Sequence, residues 1–329
     1  MEKLHSVLAG AAALSLAGSA AVAEPAIIYD VGGKFDKSFN ESAWSGAEAW
    51  KEEAGGSYRE IELQSEAQRE QAIRRLAEAG NNPIVMPGFS FGTSLSTVAP
   101  EFPDTKFVII DMVVDQPNVR SVLFKEHEGS YVVGVIAAMA SESGTLGFVG
   151  GMDIPLIRKF ACGYVQGVMA TNPNARVIQN MTGTTGAAWN DPVKGAELTR
   201  AQIAEGADVV YHAAGGTGIG VLQAAADAGI LGIGVDANQN YLQPGSVLTS
   251  MVKRVDSAVH AAFSDGPEME TGIVEISFAE GGIAYALDEH NAPLISDEIK
   301  AGADSAIEMI LAGEIMVHNY FATDSCPDS

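Results

Sequence analysis

Three aspartates share one local context in this chain. Each closes an apolar run: Ile27-Ile28-Tyr29-Asp30, Val108-Ile109-Ile110-Asp111 and Ile233-Gly234-Val235-Asp236. Short apolar runs of this kind read as buried strands of a parallel sheet. Acids at their ends then lie at the carboxyl edge, where open α/β sheets bind ligands. For any single acid, capping a helix or taking loop amides is the commoner use. Three of them, Asp30 and Asp111 in the first half and Asp236 in the second, point to a cleft rich in hydrogen-bond acceptors. Such a cleft suits a donor-rich ligand. One carboxylate takes both hydroxyls of a vicinal diol, and another takes the ring N–H and exocyclic amine of a nucleobase. Phe39 and Trp189 stand in loops read as corresponding in the two halves, each facing a helix start. If both line the cleft, a flat base stacks between them; the alternatives are a core Phe39 and a Trp189 packed under its own loop. Asn40 adds an amide beside Phe39. Lys253 could hold a neighbouring carboxylate ionised and donate to a hydroxyl, although alone it reads as a surface charge.

The elements that must position these residues alternate regularly. Strands are expected over 26–29, 58–63, 84–86, 106–110 and 119–124, with helices over about 37–53 and 66–79 and a short one ending near 99. The pattern then restarts after a break near 126–130. Helices over 128–140, 154–170, 192–205 and 221–228 alternate with strands over 145–149, 176–181, 207–212 and 230–235. Gly150-Gly151-Met152-Asp153 reads as a turn, and Asp191 as the cap of a helix opened by Pro192. Two successive α/β halves with parallel sheets follow from this alternation. Beyond Asp236 the expectation is a strand over 247–251, a helix over 255–263, two strands pairing through Gly281-Gly282, and a Ser-capped helix over 296–311.

A chain of 329 residues, 47% of them apolar, has material for two lobes of ordinary size. Its formal charge is −23, from 19 basic and 42 acidic residues, which argues against nucleic acid or anionic lipid as partners. Residues 1–23 read as a cleavable secretory leader, with Ala21-Val22-Ala23 as the cleavage site and Glu24 as the mature start. No cysteine follows that site, so no lipid anchor is indicated. An exported, soluble, periplasmic protein is expected, acting as a monomer. The two cysteines, Cys162 and Cys326, leave two alternatives open: a disulfide tying down the tail, or a buried free thiol and a frayed end. Gly215 to Gly220 follows a strand and opens a helix, but reads G-G-x-G-x-G and departs from the dinucleotide fingerprint. No phosphate-binding P-loop, histidine metal spacing or serine nucleophile elbow is present, so no cofactor, metal or catalytic residue is expected.

Asp30-x-Gly32-Gly33-x-x-Asp36-Lys37-Ser38-Phe39-Asn40-x-Ser42-Ala43 resembles the opening of the basic membrane protein family. These are nucleoside-binding proteins of bacterial ABC importers, among them the purine nucleoside receptor. Further shared features run along almost the whole mature chain: Gly88 to Phe91, Phe124 to Tyr131, Gly147 to Met152, Trp189 to Pro192, Gly234 to Gln239 and Ser250 to Arg254. The resemblance implies a type I periplasmic binding protein fold, with two Rossmann-like lobes joined by a hinge. Residues 24–126 and about 252–279 would form one lobe, and 127–251 and about 280–329 the other. It further implies that Phe39 and Trp189 sandwich the base and that Asn40 and Asp111 hold it. Asp236 and Lys253 would take the ribose, with Asp30 and Gly215 lining the site. The implied ligand is a nucleoside of the adenosine, guanosine or inosine type, and the implied partner an ABC permease. The larger indole at 189, where phenylalanine is frequent, leaves purine over pyrimidine open. A free nucleobase, riboflavin or a sugar are alternative ligands, and a secreted nucleoside hydrolase or a sensor partner are alternative functions.

Overall fold

The structure, a computed structural model, describes residues 23–327. The leader expected over 1–23 lies, Ala23 apart, outside the described residues. Two six-stranded sheets carry the fold. The first takes β1 (Ala26–Tyr29), β2 (Arg59–Glu62), β3 (Ile84–Pro87), β4 (Phe107–Ile110), β5 (Val119–Phe124) and the late β11 (Gly272–Ile276), in the order β11-β5-β4-β3-β1-β2. The second takes β6 (Thr145–Met152), β7 (Arg176–Gly183), β8 (Val209–Ala213), β9 (Leu231–Asp236), β10 (Val247–Lys253) and β12 (Ile283–Tyr285), in the order β12-β10-β9-β8-β6-β7. The orders are the same once β1–β5 are matched with β6–β10, so the molecule is an internal duplication in topology. All pairings are parallel except β10 with the edge strand β12. β1, β3, β4 and β8 are buried along their whole length, the condition of strands covered by helices on both faces.

The helices are α1 (Phe39–Ala54), α2 (Arg69–Glu78), α3 (Gly92–Val98), α4 (Glu126–Ala140), α5 (Pro155–Thr171), α6 (Pro192–Ala204), α7 (Gly218–Asp227), α8 (Val255–Asp265) and α9 (Asp297–Leu311). Two of them are exchanged between the halves. α4 leaves the last main strand of the first sheet and packs on α5; α8 leaves β10 of the second sheet and packs on α1. Glycines let these pairs approach closely. A Cβ at Gly46 would sit 2.0 Å from the carbonyl of Asp256, and one at Gly163 would sit 2.2 Å from that of His127. Three crossings between the lobes result, near 125, 254 and 277–282, and they are bonded across: Lys125 N–H donates to Ile276 (2.9 Å) and Arg254 N–H to Gly282 (2.9 Å).

Two local expectations are corrected. The runs on either side of Gly281-Gly282 do not form a hairpin. β11 joins β5 in the first sheet and β12 joins β10 in the second, because the glycines fall on a crossing. Gly150 and Gly151 are not a turn but part of β6, with Met181 and Trp189 packed where their side chains would be. The Gly-rich segment after β8 is helical from Gly215 on; Gly218 is bare because the His212 ring lies against it. The Asp191 cap is present, its carboxylate accepting Lys194 N–H at 2.9 Å, as is the Ser296 cap of α9. Cys162 and Cys326 are joined as a disulfide, which closes the alternative left open above. Among the described residues no helix is long and apolar enough to cross a membrane.

Candidate functional site

The carboxyl edges of the two sheets face each other across a cavity. Asp30, Phe39, Asn40, Asp111, Trp189, Gly215, Asp236 and Lys253 all line it. The sequence signal was positional: four of them end or directly follow strands β1, β4, β9 and β10. Asp111 and Asp236 occupy matching places, after β4 and β9. Both adopt left-handed backbone (φ 72° and 65°), which aspartate tolerates better than most residues. That shared turn aims both carboxyl groups at the space between the lobes.

The three aspartates differ in how much acceptor capacity they have left. Asp30 is engaged by Arg69, whose guanidinium donates to both carboxylate oxygens (2.9 and 3.1 Å), and by the Ser90 hydroxyl. It holds the β1 and β3 loops together more than it offers a free acceptor. Asp111 is engaged by Lys253, whose Nζ lies 2.6 and 2.7 Å from its two oxygens. Asp236 takes one hydrogen bond, from the Ser38 hydroxyl of the opposite lobe to Oδ2. Burial pushes the carboxyls of Asp111 and Asp236 up to about 6, in each case against the pull of Lys253.

Lys253 is not a surface charge: it is 1% exposed. Burial alone would discharge it, but Asp111, Glu126 and Asp236 overcome that and raise its pKa. Its Nζ lies 2.9 Å from Glu126 Oε1, an ion pair without hydrogen-bond alignment, and 5.1–5.7 Å from the ring centres of Phe124, Phe39 and Phe160. Glu126 is completely buried where the chain first crosses between lobes. Lys159 donates to it (2.6 Å) and to the Phe124 carbonyl (2.7 Å). Burial opposes ionisation of Glu126, but Lys159 and Lys253 together hold it down, at about 2. Three carboxylates and two ammonium groups thus share the side of the cavity where the chain crosses between the sheets. Sequence reasoning missed Glu126 and Lys159. Nothing local marks them, since a charged residue is buried only where distant partners meet it.

The aromatic wall differs from the expected pair of corresponding loops. Phe39 follows the first strand of its half and Trp189 the second strand of the other, so their loops do not correspond. Both still reach the cavity. Trp189 lies over Gly151, where a Cβ would meet its ring at 2.1 Å, and its edge faces Phe89 at 6.4 Å between centres. Phe89 and Phe160 are further aromatic lining that the sequence did not single out. Asp36, also lining, is spent on local structure: its carboxylate accepts the N–H groups of Ser38, Asn40 and Glu41 and fixes the start of α1. Asn40 donates through Nδ2 to the Gly33 carbonyl (3.1 Å), and its buried Oδ1 has no partner among the described residues. Among the described residues no cluster of His, Cys, Asp or Glu could hold a metal ion.

Two duplicated α/β lobes with an acid- and aromatic-lined cleft define the class of two-lobed solute-binding proteins. A solute-binding protein of an ABC transporter system from Aeropyrum pernix K1 superposes with a TM-score of 0.82 at 28% identity, over 89% of this chain and 92% of that one. Residues 24–274 match the family described as ABC transporter substrate-binding protein PnrA-like, and the chain belongs to that family. Relatives include the ABC transporter nucleoside-binding protein BmpA of Lactococcus lactis, 33% identical over 89% of this chain and 88% of its own. An uncharacterised lipoprotein of Pyrococcus furiosus is 35% identical over 79% of this chain and 69% of its own. The chain is therefore an ABC transporter substrate-binding protein.

Proposed function

We propose that this protein binds a nucleoside, a purine nucleoside first among candidates, between two hinged lobes and delivers it to a membrane permease. It acts as a single chain, exported behind a cleaved leader. The lobes we assign as residues 24–126 with about 252–279, and 127–251 with about 280–329. The observation that carries the reading is the pairing of open acceptors with ring surfaces in one cavity that both lobes wall. Among the described residues Asn40 Oδ1 has no hydrogen-bond partner and Asp236 takes its hydrogen bond on Oδ2, while Phe39, Phe89 and Trp189 supply apolar faces. A ribose gives its hydroxyls to Asp236, with Lys253 beside it. The base lies between Phe39 and Trp189 with its N–H edge towards Asn40 and Asp111. Asp30 and Gly215 complete the walls. Each lobe contributes contacts, so the ligand binds the closed form better than the open one, which is the condition for closure. The named nucleoside binding of the Lactococcus relative supports the same choice.

A thermal-shift panel tests it. Inosine, adenosine or guanosine, present well above its dissociation constant, is expected to raise the melting temperature by mass action, while ribose, free bases and riboflavin are not. A response to sugars or riboflavin with none to any nucleoside overturns the ligand assignment. Ribose and free base appearing after incubation with inosine would overturn binding without turnover.

A further inference from the structure

Two side chains outside the proposed base and ribose contacts, Ser38 and Gln239, bridge the two halves beside Asp236. Ser38 is fully buried, yet both polar contacts of its hydroxyl lie in the other lobe: it donates to Asp236 Oδ2, with the Val235 carbonyl at 3.4 Å. Beside it, Gln239 is also fully buried. Its Oε1 accepts Val235 N–H (2.9 Å) and faces His212 Nε2 (2.9 Å). With Oε1 so occupied, the amide is oriented, and Nε2 donates across the cleft to the Lys37 carbonyl (2.9 Å). His212 must then donate through Nε2. Burial depresses its pKa to about 4, which keeps the ring neutral in that role. Lys37 sits in the left-handed region (φ 62°), a conformation a lysine keeps only where its surroundings impose it, and this turn presents the carbonyl to Gln239.

We propose that Lys37-Ser38 is an interlobe latch that seats on Asp236 and Gln239 when the lobes close and sets how long a bound solute stays. Ser38 and Gln239 are positioning residues: one holds the Asp236 carboxylate, the other holds the end of β9 that carries it. When the lobes part, Ser38 and the Gln239 Nε2 lose these partners to water, so the latch biases closure even without ligand. The dwell-time part of the proposal rests on the binding cleft described above.

Two variants separate the latch from general folding. Ser38→Ala removes the hydroxyl, and Gln239→Glu keeps the acceptor for Val235 and His212 but removes the donor to Lys37. Small-angle X-ray scattering of the ligand-free chain is expected to give a larger radius of gyration for each variant than for wild type. Stopped-flow chase of inosine is expected to show dissociation about 3–10-fold faster, with the association rate little changed. An unchanged radius together with unchanged dissociation overturns the latch, as does a fall in melting temperature that leaves both unchanged. If wild type binds no nucleoside, the proposed function fails instead, and the latch is decided by the scattering alone.

Discussion

Asp236 is the residue on which most of the chemistry converges. Its Oδ2 is taken by Ser38, it lines the cavity, and it stands at the end of a strand on a left-handed turn. A charge-assisted hydrogen bond to a buried carboxylate contributes about 1.5–3 kcal/mol, so Asp236→Asn should weaken inosine binding by ~10–150-fold in calorimetry. A change below twofold would remove Asp236 from the site. The same carboxyl predicts a pH dependence. Burial raises it to about 6, against the pull of Lys253 and Ser38, so the ligand-free protein begins to hold a proton here as pH drops through that value. A ligand hydroxyl needs the ionised form. Affinity should therefore be flat above pH 7 and fall below 6, by up to about tenfold per unit for each titrating carboxyl. Asp111, raised to a similar value, titrates in the same window and steepens the fall. For folding the sense is reversed. The folded chain takes up a proton that an unfolded aspartate, at 3.8, does not, so this contribution to stability declines as pH rises from about 4 to 6. An affinity that rises on acidification would contradict the assignment.

At the scale of elements, β6 and the segment carrying Trp189 depend on one another. The indole rests where Gly151 has no side chain, and the backbone there is not left-handed, so space alone excludes alanine. Gly151→Ala should displace the ring and forfeit part of the roughly 1–3 kcal/mol that base stacking contributes. In a Trp189→Ala background the same substitution should cost no further affinity. Additive losses in that cycle would show that Gly151 acts by some route other than the indole. This dependence also shows what could be read from the chain and what could not. The main strands were legible because parallel strands buried on both faces are unbroken apolar runs, such as Phe107 to Ile110. Asp30, Asp111 and Asp236 were legible as residues closing such runs. A Gly-Gly pair between two β-prone runs looks the same whether the chain turns back or crosses to another sheet, so β11 and β12 are legible as strands but their partners are not. The state of the acids was hidden as well. Arg69 saturates Asp30 from 39 residues away, and Lys253 reaches Asp111 from 142. Gly150-Gly151 reads as a turn because only Met181 and Trp189, distant in sequence, explain glycines inside a strand.

For the whole molecule, the C-terminal tail acts as a strap on the second lobe. It runs back over α5, where Gln166 and His318 exchange two hydrogen bonds (3.0 and 2.8 Å), Lys159 lies 5.5 Å from the Phe321 ring centre, and Cys326 is bonded to Cys162. α5 carries Ile157 and Phe160 into the cavity and Lys159 into the hinge cluster, so the strap backs the helix that supports one wall of the site. The disulfide spans 164 residues, most of the second lobe and one exchanged helix. Chain entropy alone would assign it about 5 kcal/mol, and measured disulfides more commonly give about 2–4. Because the hydrogen bonds to Gln166 remain when the sulfur bond is lost, the native arrangement of α5 should persist while the unfolded chain gains freedom. Cys326→Ser should therefore lower the urea unfolding free energy by about 2–4 kcal/mol, and reduction of wild type should reproduce the loss. Inosine affinity should stay close to that of wild type. A variant as stable as wild type would mean that non-covalent contacts alone hold the tail. A variant of normal stability but weakened binding would instead make the strap part of the site, acting through α5 on Phe160 and Lys159.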